Sequence, residues 1–396
     1  MKSTQNRIKA VVSACALTWC LLGNVQLIAQ NNYYVYATAE SEDEVALIKF
    51  DGKEATIEKT ITVGTWPAEI EGPHGINVSP DGKYWYLSLA HGNPYGTLYK
   101  YSTATNEVID TVKLGLFPAS LQVSKTTGLL YCVNFNLHGD MVPSTVSVVD
   151  PEEMIEIDRI ETGVMPHGSR ISADGKFHYS VGMMSGELFE ISTSKLKVTR
   201  TLALDGKEGD DMDSMDHSKM DHGSMNQGGM DHAATEHSQM SSAAMSKPMF
   251  HSAVKPTWAI PHPTNGKVYV AGNGSDEILE IDTKSWSITN RFGTGKAPYN
   301  VDVSPDGRYM VATYKGSAET GVWDLKKGTE IGRIKNTRKV SHGVTISSDS
   351  KYAFVSVEGI GGEPGTVDVI DIKKATKVTS VDMGKQAGGI IFWKME

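Results

Sequence analysis

The residues best equipped for chemistry crowd into one stretch, Asp210 to His251, which holds eight of the chain's 17 Met and five of its 12 His. The triplet Met-Asp-His occurs there three times, at Met215-Asp216-His217, Met220-Asp221-His222 and Met230-Asp231-His232. Phe250 is its only aromatic, and Leu, Ile and Val are absent. Such a segment cannot offset its chain entropy by burial, so disorder is expected when no ligand is bound. Its thioethers then face water, whereas Met usually fills gaps in cores. Thioether suits Cu(I), imidazole suits Cu(II), and carboxylates add charge attraction. The candidate ligands are Met212, Met215, His217, Met220, His222, Met225, Met230, His232, His237 and Met240. Zinc or nickel would use the His alone, and a plain polar spacer would also tolerate the Ser, Gly and Asp. The repeated triplet and the Met excess point to copper.

The elements that must position this segment come from an internal repeat. Val78-Ser79-Pro80-Asp81-Gly82-Lys83-Tyr84 recurs as Val303-Ser304-Pro305-Asp306-Gly307-Arg308-Tyr309. Weaker copies stand at Ile171 to Phe177 and Ile346 to Tyr352, and degenerate ones at Val123 to Leu129 and Ile260 to Val268. Outside the Met/His-rich insert, neighbouring copies lie about 40 to 50 residues apart, the spacing of propeller blades. Each Ser-x-Asp-Gly reads as a tight turn, in which Asp bonds its own backbone and Gly takes positive φ. Alternating or apolar runs follow each turn, giving four strands per unit and no amphipathic helix. Six full units begin near Gly64, Gly115, Gly163, Lys255, Gly295 and Lys339. Tyr33 to Val63 supplies three further strands, and Gly388 to Trp393 one more. Three plus one closes a seventh unit and removes the open edge.

The expectation is an all-β chain: a seven-bladed β-propeller of four-stranded blades, closed by its N- and C-terminal strands. Its Gly-x-x-Pro and Val-Ser-Pro-Asp-Gly runs resemble those of YVTN-repeat, YncE-like propellers. More distantly they are similar to the haem d1 propeller of cytochrome cd1 nitrite reductase. The insert resembles the Met/His-rich segments of periplasmic copper-resistance proteins such as multicopper oxidases. The propeller likeness implies a fold and leaves activity open, because such propellers host many functions.

Propeller topology gives the residues positions. The innermost strand of each blade lines the channel, and the loop entering it shares a face, here called the top, with the loop joining the second and third strands. The insert is a top-face loop on this reading. Seven residues before the turn Asp stand His74, His167 and His342, with Tyr299, Ala119 and Trp258 at the corresponding places in other blades. Three imidazoles at one mouth are a plausible copper or zinc site. The blades concerned are not adjacent, however, and each His can instead bond within its own blade. His91, His138 and Met183-Met184 fall in loops on the same face. His178 and His262 read as structural. Haem d1 propellers bind iron through a mouth His, and nitrous oxide reductase holds copper in a ring of mouth His. This chain has no cupredoxin or cytochrome c domain beside its propeller, which sets it apart from both.

The first 30 residues have the layout of a secretory signal: Lys2, Arg7 and Lys9, an apolar run from Ala10 to Leu22, then small and polar residues. Val12-Ser13-Ala14-Cys15 resembles a lipoprotein box, but its apolar run is short, so a lipid anchor is not favoured. Export to the periplasm or cell surface is expected, with no transmembrane segment in the mature chain. Cys15 and Cys20 leave with the signal, and Cys132 stays as a lone buried thiol. A net charge of −9 argues against nucleic acid and suits cations. The organisation is thus residues 1–30 signal, 31–206 blades one to four, 207–252 insert, and 253–396 the remaining blades and closing strand.

Three functions fit. The leading one is an exported propeller that captures copper through its insert for sequestration, tolerance or delivery, to its own mouth or to a periplasmic copper-handling or redox partner. The second is a redox enzyme with copper or a haem-like cofactor at the mouth, although no nucleophile-base pair or other catalytic set is evident. The third is a surface interaction platform built from Tyr33 to Tyr36, Trp66, Trp85 and the top loops.

Overall fold

The computed structural model describes residues 31–66, 68–91, 96–205 and 251–396. Among these, seven antiparallel four-stranded sheets form the blades of a propeller. The innermost strands are Pro73–Val78, Pro118–Val123, Pro166–Ile171, Pro256–Pro261, Pro298–Val303, Val340–Ile346 and Ala387–Met395. Each packs on the next in a closed ring. Blade 1 draws its innermost strand from the C-terminus: Ala387–Met395 pairs antiparallel with Tyr33–Ala39. The seven-bladed architecture and its terminal closure are as the repeat implied.

Hydropathy explains which strand goes where. Middle strands are apolar on both faces because blades stack face to face; Tyr352–Glu358 is buried almost throughout. Outermost strands alternate, as Lys197–Ala203 does, with one face to solvent. The cores lie between blades. Tyr36 stacks on Trp85 at 5.3 Å, and Trp85 on Tyr101 at 3.8 Å. Tyr33, Tyr36 and Trp85 are therefore buried and unavailable as a surface; Trp66 is exposed.

The turns follow the chemistry read from the sequence. In Ser79–Tyr84, Asp81 Oδ1 accepts from Ser79 Oγ at 2.6 Å and from the Lys83 amide at 3.1 Å, and Gly82 has φ +73°. Side chains below the mouth then tie four of the seven innermost strands to the next. Asn77 accepts from the Val123 amide, Gln122 from Ile171, Asp302 from Ile346, and Thr345 from Phe392. Cys132 is buried, and burial pushes its thiol pKa up.

Candidate functional site at the channel mouth

Backbone carbonyls at the mouth are held by hydroxyls of the preceding blade. Ser120 donates to His167 O at 2.7 Å, Thr257 to Tyr299 O at 2.8 Å, and Thr313 to His342 O at 2.8 Å. Ser88 and Ser356 do the same for Ala119 O and Gly388 O. Glycine after the mouth residue lets the strands come this close. A Cβ on Gly75 would lie 1.8 Å from Ala119 O, and one on Gly389 would lie 2.1 Å from His74 O.

The seven mouth residues are Gly388, His74, Ala119, His167, Thr257, Tyr299 and His342 in blade order. Thr257, not Trp258, holds the place in blade 5. That turn closes between His262 and Lys267, with its positive-φ Gly266 one residue later than in the regular copies, so counting back from Asn265 stops one residue short. Trp258 takes the position that Gly75 holds in blade 2.

The three predicted His meet. The His74 ring lies 5.9 Å from His167 and 5.9 Å from His342, centroid to centroid. His74 sits between Gly388 and Ala119, whose small size leaves its imidazole free to cross the channel. Tyr299 fills the gap on the other side, 5.2 Å from His167 and 4.7 Å from His342. All three His are at least nine-tenths buried and border one axial cavity of about 30 Å³ with Ser120, Arg170 and Asn300. That volume suits a few small atoms; a macrocycle would have to lie outside, over the mouth.

Proton positions follow from the partners. Burial pulls His167 down to about 3, so it is neutral. Its Nδ1 donates to Thr257 O at 3.0 Å, and its Nε2 accepts from the Tyr299 hydroxyl at 2.9 Å. His342 is likewise held neutral, chiefly by burial. Its Nε2 is 3.7 Å from Glu358, and its Nδ1 has no partner among the described residues. His74 Nδ1 donates to Glu40 at 3.2 Å, and His91 Nε2 donates to the other Glu40 oxygen at 3.1 Å. Burial opposes the Glu40 charge, but the His74 and His91 interactions together keep its carboxyl well below the usual range. The bond from Glu40 raises His91.

A second shelf lies beside the mouth. His91 and His138 rings are 5.8 Å apart, and both pack on Phe117. Met183 and Met184 pack on the cluster of Phe117, Phe135 and Met165. The expected gathering of His and Met on one face is present. Sequence reasoning missed Glu40, Glu358 and Lys315, which reaches both Glu358 at 3.5 Å and the Tyr299 ring at 4.3 Å. His178 is buried in a second strand. His262 bridges turns, its Nε2 donating to Gly307 O at 2.7 Å.

Met212, Met215, His217, Met220, His222, Met225, Met230, His232, His237 and Met240 lie outside the described residues, as does the signal-like leader. The ends flanking the insert are described. Asp205 accepts from Ser252 Oγ at 3.2 Å and from the Val254 amide at 3.0 Å, beside Gly186. This stem is on the mouth face, next to the loop bearing Met183 and Met184. Among the described residues no group of three or more His, Cys, Asp or Glu stands in metal-holding geometry. Both His167 nitrogens are engaged, so its ring would have to give up Tyr299 to bind a metal.

A family model described as YNCE-like beta-propeller matches residues 134–390. The chain belongs to the YNCE-like β-propeller family. Many solved structures match this propeller fold, and two of them illustrate the likeness. One is Kuenenia stuttgartiensis hydrazine synthase, 18% identical, covering 78% of this chain and 81% of that one, with TM-score 0.57. The other is a functionally unknown protein from Desulfotomaculum acetoxidans DSM 771, 13% identical, covering 91% and 98%, with TM-score 0.63. At these identities the likeness is one of fold. A search of curated proteins finds no match to this YNCE-like propeller.

Proposed function

We propose that this protein is an exported copper-binding propeller that captures copper through its Met/His-rich insert and passes it to the His mouth or to a partner docked there. The observation that carries the reading is spatial. The stem of the insert rises on the face where His74, His167 and His342 enclose one cavity, and the Nδ1 of His342 has no partner among the described residues. Many weak thioether and imidazole sites raise the local copper concentration over a mouth that offers few, better placed donors. Glu40 fixes the His74 ring as a second-layer carboxylate does for a metal-bound imidazole. The role is sequestration, tolerance or delivery.

The test titrates purified mature protein with Cu(I) and Cu(II). Beside it stand a variant lacking 210–251 and a His74/His167/His342 triple Ala variant. The reading expects the deletion to remove most of the copper stoichiometry, and the triple variant to lose one tight site. Equal, weak binding by all three sinks it.

A further inference from the structure

The axial cavity holds a feature that copper binding does not use. Arg170 stands three residues after His167 on the same innermost strand and borders the cavity with His74, His167, His342 and Asn300. Its guanidinium lies over the Trp258 ring at 4.5 Å, and one nitrogen donates to Ser169 O at 2.8 Å. Among the described residues no carboxylate comes within ion-pairing distance of it, and the other N–H groups have no protein acceptor. Asp302 is the acid that acts on it through space, but that carboxylate already accepts the Val303 and Ile346 amides. The other acids near the mouth are engaged too, Glu40 by His74 and His91, and Glu358 by Lys315. Burial lowers Arg170 to about 10, which leaves it charged at neutral pH.

Two further atoms of cavity-lining residues are buried without partners among the described residues, His342 Nδ1 and Asn300 Oδ1. A guanidinium whose nearest acid acts only through space is costly in such a place, as are orphaned polar atoms. The cavity, at about 30 Å³, exceeds the roughly 10–15 Å³ that one water needs. We propose that it is a binding site for a small monovalent anion, a halide or a three-atom carboxylate. Arg170 supplies the charge, Trp258 the platform, and the Nδ1–H tautomer of His342 a second donor. A water accompanying the anion donates to Asn300. The site needs no copper and goes beyond the copper reading.

The test uses chelator-treated mature protein. Crystals are soaked in sodium bromide and the anomalous signal is mapped. Formate binding is measured by calorimetry for wild type, Arg170→Lys, Arg170→Gln and, as a control on the turn face, Arg308→Gln. The expected result is one bromide within about 3.5 Å of the Arg170 guanidinium. Formate affinity should drop at least tenfold in Arg170→Gln, less in Arg170→Lys, and stay unchanged in Arg308→Gln. An empty wild-type cavity in bromide, or equal formate affinity without Arg170, overturns the proposal. Should Arg170→Gln fail to fold, the wild-type bromide map and the Lys variant decide. Because no metal is present, loss of copper binding and loss of anion binding are read separately.

Discussion

His178→Met should stabilise the protein, and more so in acid. His178 is fully buried against Tyr131, ring centroids 5.1 Å apart, and neither ring nitrogen has a hydrogen-bond partner among the described residues. Blade 6 carries Met310 at the equivalent place, also fully buried, so the exchange nearly conserves volume and puts sulfur against an aromatic ring. Relieving the unpartnered nitrogens should yield about 1–3 kcal/mol at pH 8. Burial holds folded His178 down to about 3. In the unfolded chain it titrates near 6.5, so between those values only the unfolded state takes up the proton. Stability from this group is therefore complete above 6.5 and declines as pH falls. At pH 5 the loss is about 1.5 pH units, or about 2 kcal/mol. The variant lacks this loss, so its advantage should widen by about 2 kcal/mol between pH 8 and pH 5. Urea unfolding of metal-free protein, followed by Trp fluorescence at both pH values, measures the gap. A gap that stays constant with pH would refute the argument that His178 is held neutral.

Glu40→Gln should lower the pKa of His91 toward the ordinary histidine range, seen as a shift of its imidazole proton titration by NMR, and should weaken copper binding at the mouth. Tyr299→Phe releases the Nε2 of His167. Removing a hydrogen bond worth about 1 kcal/mol should tighten mouth copper binding several-fold if His167 is a ligand, and unchanged affinity would assign the metal to other donors. Gly75→Ala forces a Cβ into the Ala119 carbonyl and should cost more than about 3 kcal/mol or prevent folding, as judged by circular dichroism and chevron midpoints.

The blades, their number and their closure were legible because the turns draw on the same few atoms of chemistry: a Ser hydroxyl, an Asp carboxylate and a glycine stand together in three of them, beginning at Ser79, Ser172 and Ser304, and the others keep part of that pattern. Three mouth His were legible by counting from that turn. Their convergence was not, because it depends on His74 having Gly388 and Ala119 as neighbours, a fact of the closed ring. The count also slipped at Trp258, where the glycine moves one place and the strand start does not. Glu40, Glu358 and Lys315 belong to no repeat. Glu40 and Lys315 directly follow the second strands of their blades and Glu358 ends one, so the rule that placed His91 on the top face would have found all three. Tyr36 and Trp85 were misread as surface because aromatic composition alone does not say which face of a blade meets its neighbour.

Closure by Ala387–Met395 also sets an order of assembly. Gly388 and Gly389 complete the ring around His74, and Asn32 and Glu396 exchange backbone hydrogen bonds at the seam. The first strand, Tyr33–Ala39, pairs with Glu44–Phe50 beside it, but its other edge stays open until Ala387–Met395 is in place. The mouth is therefore complete only once that closing strand has docked. Any ligand held there meets a finished propeller, while a ligand taken up earlier would have only the unclosed chain to bind.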